Sequence, residues 1–197
     1  MSREQIVEKL GGSPLGDLIP TCFRRDFGLS APGQYGMVCA DTAEERRALQ
    51  SLGCSPFLHT TTPGPGWTEY GEPVSGVKVD MAMGYVGDEQ IELLGPGQGT
   101  DFYREAIPES GALTLHHVCC FQNNIDEMLE RLPQAGYPVA LQGESKAGPV
   151  WTRFAYFDTR KDLGLFLEIT QYRLFGRHFP PGRRMITSMA KLQQRFA

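Results

Sequence analysis

The sequence lacks the short motifs that sort most chains at a glance. Its five cysteines include no Cys-x-x-Cys pair, which excludes finger and ribbon zinc sites and the dithiol redox motif. The number is odd, and Cys39, Cys119 and Cys120 sit inside apolar runs. They are expected to be buried, reduced thiols, as suits a reducing cytosol. No apolar run reaches the roughly 18 residues that a membrane helix requires. The charged first twelve residues predict no signal peptide, so a cytoplasmic protein without a membrane partner is expected. No polybasic surface is implied either. There are 19 Lys and Arg against 23 Asp and Glu, for a net charge of −4, which argues against nucleic acid as a partner. The glycine run Gly95-Pro96-Gly97-Gln98-Gly99 has neither the Gly-Lys-Ser/Thr ending of a phosphate loop nor the spacing of a dinucleotide site. Only the tail departs from the acidic balance: residues 173–197 hold six Lys or Arg and no Asp or Glu.

What the chain does have is a core and a repeat. Of its 197 residues, 41% are hydrophobic, with 11 Phe, 7 Tyr and 2 Trp, enough for one domain or two small fused modules. An offset of 83 residues carries Gln34 onto His117, Asp41 onto Asn124, Glu44 onto Glu127, Leu49 onto Leu132 and Gly53 onto Gly136. A constant offset across a strand, a helix cap, a helix and its stop marks an internal duplication. Each copy predicts a strand (34–40 and 114–121), then a helix opened by a capping box and closed by glycine. In the first copy Val77, Val79, Met81 and Met83 alternate with Lys78, Asp80 and Ala82, as in a half-buried strand, and Glu89–Leu94 forms the next. In the second, strands are expected at 137–141, 150–157 and 165–170, with a turn at 143–149.

The predicted organisation is therefore α+β: two tandem βαβββ modules at 34–94 and 113–172. A linker with a short helix joins them over 95–112. An N-terminal extension spans 1–33, with a peripheral helix capped by Ser2 and an irregular lead-in from 13. A basic tail spans 173–197. Thr-, Gly- and Pro-rich residues 60–76 are expected to form a long loop, and Met185, Met189 and Leu192 one face of a tail helix that docks on its own domain or on a partner.

Four polar residues fall at equivalent places on this scaffold. Gln34 and His117 open the two first strands; Glu92 and Glu168 sit in the two last strands between apolar neighbours. Side chains alternate across a strand, so each glutamate faces away from those neighbours. Glu168 shares its face with Phe166 and Thr170, and a carboxylate there is costly unless paired or bound to metal. Converging, the four would offer oxygen and nitrogen donors to one divalent cation, leaving positions for substrate or water. The donors do not choose among Zn, Ni, Co, Mn and Mg.

The stretches Gln34-Tyr35-Gly36-Met37-Val38-Cys39-Ala40-Asp41, Gln90-Ile91-Glu92-Leu93-Leu94, Leu115-His116-His117-Val118 and Gly164-Leu165-Phe166-Leu167-Glu168-Ile169 resemble the vicinal-oxygen-chelate superfamily of glyoxalases, epimerases, extradiol dioxygenases and bleomycin-resistance proteins. The likeness spans about residues 33–172 and is nearest to the glyoxalase-like and methylmalonyl-CoA epimerase branch. It implies that each module curls into half of an open barrel, that Gln34, Glu92, His117 and Glu168 hold the metal in the cleft, and that His116 points to the opposite face. It further implies a lyase or isomerase that removes a proton next to a carbonyl through a metal-stabilised enolate, with Glu168 as base and Glu92 as ligand or proton donor. The expected partners are a small-molecule carbonyl substrate and a second copy of the chain. A single histidine among the four positions disfavours the two-histidine iron site of a dioxygenase. A binding or resistance protein without chemistry is the alternative. Trp67, Tyr70 and Trp151 are candidates to line an apolar pocket, and Arg153, Lys146 and the basic tail are candidates to meet an anionic group.

Overall fold

The computed structural model describes residues 2–12, 18–64 and 66–196. Helices α1 (Arg3–Gly12) and α2 (Thr21–Phe27) precede strand β1 (Gln34–Val38), helix α3 (Thr42–Ser51) and strands β2 (Leu58–Gly64), β3 (Thr68–Glu69), β4 (Glu72–Pro73), β5 (Val77–Val86) and β6 (Glu89–Leu94). A 3-10 turn at Arg104–Ala106 leads to β7 (Thr114–Phe121), α4 (Ile125–Gln134), β8 (Val139–Ala147), β9 (Val150–Phe157), α5 (Arg160–Leu163), β10 (Phe166–Leu174), β11 (Arg177–His178) and α6 (Arg183–Phe196). All strands belong to one curled mixed sheet in the order β2-β5-β6-β1-β7-β10-β9-β8-β3-β4, with β11 on β10.

The sheet displays the duplication. Within each half the first strand runs parallel to the last: β1 with β6, β7 with β10. The halves join where β1 meets β7 antiparallel, with Gln34 opposite Cys119 and Gly36 opposite His117. Gln34 plus two is Gly36 and His117 plus two is Cys119, so the register is unchanged when the halves are exchanged. The pseudo-dyad lies between Tyr35 and Val118, which face each other.

Two cores follow from the alternation of side chains. Tyr35, Met37, Ile91, Leu93, Val118, Cys120, Leu167 and Ile169 form a core with helices α1, α3 and α4 on one face. Val79, Leu94, Tyr103, Phe154, Tyr156 and Phe166 belong to a second cluster on the inner face. All five cysteines are free thiols, and four of them are buried. No helix of the described residues is long and apolar enough to cross a membrane.

Four details differ from the sequence expectation. Residues 13–17 lie outside the described residues, but the supposedly irregular lead-in contains α2, whose Phe23 and Phe27 stack with Tyr137. Helix α1 is not peripheral: Ile6 and Leu10 enter the main core, and Arg3 bridges to Glu44 and Glu45 of α3. The 60–76 loop is largely strand. Beyond β2, strand β3 pairs with β8 of the other half. The turn expected at 143–149 is strand as far as Ala147, because pairing along β9 overrides a polar run with no alternation. At Gly143 a Cβ would lie 2.3 Å from the Trp67 ring, so glycine marks a close approach.

The two duplicated helix caps are unequal. Asp41 accepts hydrogen bonds from the Ala43 and Glu44 amides at 2.8 and 3.0 Å, and these bonds hold its carboxyl below the usual value. Asn124 makes no such bond; its side chain pairs with Gln122 and Glu127 instead. Asp41→Ala is expected to cost about 1 kcal/mol in chemical denaturation, and Asn124→Ala clearly less. Because the folded pKa of Asp41 is depressed, its contribution is present above the unfolded pKa and lost as pH falls through the folded one. The gap between wild type and Asp41→Ala should therefore close in acid.

Candidate metal centre

The four central strands β6, β1, β7 and β10 each bring one of the sequence-selected residues to the inner face. Glu92, His117 and Glu168 place one donor atom each within 4.8 Å of one another, and all three are buried. His117 Nε2 lies 3.2 Å from Glu168 Oε2 and 3.5 Å from Glu92 Oε2. Gln34, only 2% exposed, faces the same cavity as the two glutamates.

The donors fit a cation. Metal bonds of about 2.0–2.2 Å set ligand atoms on the order of 3–4 Å apart. Two buried donor atoms of the cluster, His117 Nε2 and Glu168 Oε2, make no well-formed hydrogen bond although they lie 3.2 Å apart. Buried polar atoms without a hydrogen bond are costly and rare; here two of them face each other in one cluster.

The charges are uneven. Burial and the neighbouring Glu168 push the Glu92 carboxyl up, with His117 opposing. Burial opposes ionisation of Glu168 too, but His117 and donors from Cys119 and Thr170 outweigh it and hold Glu168 low. The Thr170 hydroxyl donates to Glu168 Oε1 at 2.9 Å, which leaves Oε2 to face the centre. Burial works against a charged His117 imidazole, yet the two carboxylates together raise it to about 9.

His116 does not point to the opposite face. The β1–β7 register shifts between Gly36 and Met37, so that Gly36 faces His117 and Met37 faces Leu115. The extra residue of this bulge is His116, and a bulge breaks the alternation. Both histidines therefore lie on the inner side, Nδ1 to Nδ1 at 3.1 Å. A proton on His117 Nδ1 satisfies this contact and leaves Nε2 facing the carboxylates. Burial first, then His117, keep His116 neutral, within a ring of Phe102, Tyr103, Tyr156 and Phe166.

Sequence reasoning placed Thr170 on the Glu168 face without giving it a role, and it missed Gly36 and Cys119. Each lies two residues from a selected residue, or opposite one, so the alternation that selected the four would have found them. Gly36 is the sharpest case: a Cβ there would sit 1.7 Å from His117 Cε1.

Above the centre opens a cavity of about 480 Å³. Trp67 lines it, whereas Tyr70 and Trp151 do not. Arg153 pairs with Asp126 at 2.8 Å, and neither it nor Lys146 reaches the cavity.

The profile of the Glyoxalase/Bleomycin resistance protein/Dioxygenase superfamily matches residues 33–156, well over half of the chain. The chain belongs to this superfamily. Glu168 lies beyond the matched segment, and the fold brings it to the other two donors. No curated protein is matched by the sequence. Among solved structures, methylmalonyl-CoA epimerase from Mycobacterium tuberculosis superposes with a TM-score of 0.52 at 15% identity, over 72% of this chain and 87% of that one. A variant of Streptomyces coelicolor methylmalonyl-CoA epimerase in complex with 2-nitronate-propionyl-CoA gives 0.50 at 15% identity, over 72% and 96%. At such identity the likeness is one of fold: the paired, curled halves of the superfamily.

Proposed function

We propose that this superfamily member is a divalent-metal-dependent isomerase or lyase that moves a proton at a carbon next to a carbonyl. The observation that carries the reading is the buried cluster of Glu92, His117 and Glu168, with donor atoms that make no well-formed hydrogen bond, at the floor of a cavity. Glu92, His117 and Glu168 would hold the ion, with Gln34 completing the set from β1. When bound, it would act as a Lewis acid toward substrate oxygens and lower the barrier to forming the carbanion.

The protein's own groups do the rest. Glu168 would take the proton through Oε2, the oxygen that Thr170 leaves free, once that oxygen is released from the ion. Glu92, on the opposite module, would return a proton or remain a ligand. His117, fixed through His116, would keep its Nε2 turned to the centre. The apolar cavity walls would exclude water and strengthen every charge interaction at its floor. A homodimer belongs to the same proposal: Leu192 and Phe196 on α6 are 55% and 84% exposed and would supply apolar contact area.

The test has two parts. The protein, dialysed and reloaded, should bind one divalent ion per chain by elemental analysis. In D2O it should then catalyse deuterium incorporation beside the carbonyl in members of a panel of 2-oxo and 2-hydroxy carbonyl compounds, and a chelator should stop it. Apolar ligand binding with no bindable ion would instead favour a binding protein of the same fold.

A further inference from the structure

We propose that the segment after β10 is the specificity wall of the cavity, and that the substrate is a compact, uncharged-bodied carbonyl compound rather than a conjugate of an anionic carrier. This rests on the cavity being the substrate site.

The tail lies beyond the family match, which ends at residue 156. Phe179, Met185, Ile186 and Met189 line the cavity together with Met81 and Met83 of β5, the strand beside α6. The face that α6 buries is not the expected Met185–Met189–Leu192 stripe. Ile186 and Ala190 are buried, while Met189 and Leu192 remain about half exposed.

The segment is fastened in place. Strand β2 is an edge of the sheet, with backbone groups seeking partners. The Gln193 side chain satisfies them as another strand would: it accepts from the His59 amide at 2.8 Å and donates to the His59 carbonyl at 2.7 Å. Arg183 pairs with Asp88 and covers the Tyr85 ring at 5.4 Å.

The chemistry of the lining then selects the ligand. No Lys or Arg is among the described residues that line the cavity, despite the basic tail, and the one histidine among them, His59, is engaged by Asp80. A carboxylate or phosphate on the body of a ligand would meet no Lys or Arg along these walls and would be desolvated without a partner. Glutathione carries carboxylates at both ends, and nucleotide carriers carry phosphates. Four thioethers instead give an adaptable apolar surface, and about 480 Å³ suits a single small molecule.

The experiment is a titration of the full chain, metal-free and zinc-loaded, with the neutral fluorophore N-phenyl-1-naphthylamine. Saturable, blue-shifted binding is expected, with displacement by the neutral diketone 1-phenyl-1,2-propanedione but not by S-hexylglutathione. Met185→Trp and Met189→Trp, both on half-buried positions that tolerate a larger residue without disturbing the main core, should each weaken the fluorophore at least tenfold. Their zinc affinity and circular dichroism should match wild type. Displacement by S-hexylglutathione equal to that by the diketone would overturn the proposal. So would an absence of fluorophore binding, or folded tryptophan variants that bind it as wild type does. Loss of zinc binding alone would count against the metal reading and leave the titration of the metal-free chain decisive for the cavity.

Discussion

Gly36→Ala should strip the protein of its metal affinity and lower its stability, although the change adds one methyl group. The new Cβ would lie 1.7, 1.9 and 2.1 Å from His117 Cε1, Nε2 and Nδ1, so it overlaps the imidazole ring itself. The ring has no retreat. His117 is fully buried, with the Tyr156 ring centred 4.9 Å away and His116 Nδ1 at 3.1 Å. Backbone conformation is not the reason for this glycine, since Gly36 is absent from the positive-φ residues. Overpacking of this kind costs about 1–3 kcal/mol, or a midpoint lowered by roughly 2–12 °C in a chain of this size. Isothermal titration with zinc should show at least a tenfold loss of affinity, because a displaced imidazole no longer aims Nε2 at the carboxylates. The double variant Gly36→Ala/His117→Ala separates the causes. Removing the ring should restore stability lost in the single glycine variant, a coupling of sign opposite to simple additivity. Unchanged zinc affinity in Gly36→Ala would refute this account of the centre.

Much of this arrangement was legible before any coordinates. The offset that carries Gln34 onto His117 is a statement about register, and the β1–β7 pairing reproduces it with Gln34 opposite Cys119 and Gly36 opposite His117. Glu92 and Glu168 were legible because a carboxylate between Ile91 and Leu93, or between Leu167 and Ile169, must face away from an apolar core. His116 was not, because alternation assumes an unbroken ladder and a bulge is decided by the partner strand. The strand through Gln142–Lys146 was hidden for a related reason: its pairing with β9 is non-local, and its side chains carry no period. The inner role of the tail was likewise out of reach. The periodicity of α6 gave an amphipathic helix, but which strip of it is buried depends on the edge strand it covers and on the Gln193 contacts with His59.

Glu168→Gln is expected to abolish turnover while leaving the fold in place. The substitution keeps the shape, and the amide oxygen still accepts the Thr170 hydroxyl that now bonds to Oε1 at 2.9 Å. It removes the group able to take a proton. General base catalysis contributes about 10²–10⁴-fold, so deuterium incorporation at saturating metal should fall by at least about a hundredfold, with the thermal midpoint little moved. Saturating metal matters, because an amide is also a weaker ligand than a carboxylate. Glu92→Gln distinguishes the two carboxylates. If Glu92 returns the proton, its amide variant should still exchange the substrate proton with solvent but fail to complete the isomerisation. Glu168→Gln should lose both. Full turnover in Glu168→Gln would sink the assignment of the base, and exchange lost in Glu92→Gln but kept in Glu168→Gln would reverse the two roles. The pseudo-dyad makes that reversal a real competitor: Glu92 and Glu168 occupy equivalent strands, and what separates them is local. His117 acts on both, but a buried thiol and a threonine hydroxyl add to its hold on Glu168 and keep that carboxyl low, whereas burial and the charge of its twin push Glu92 up.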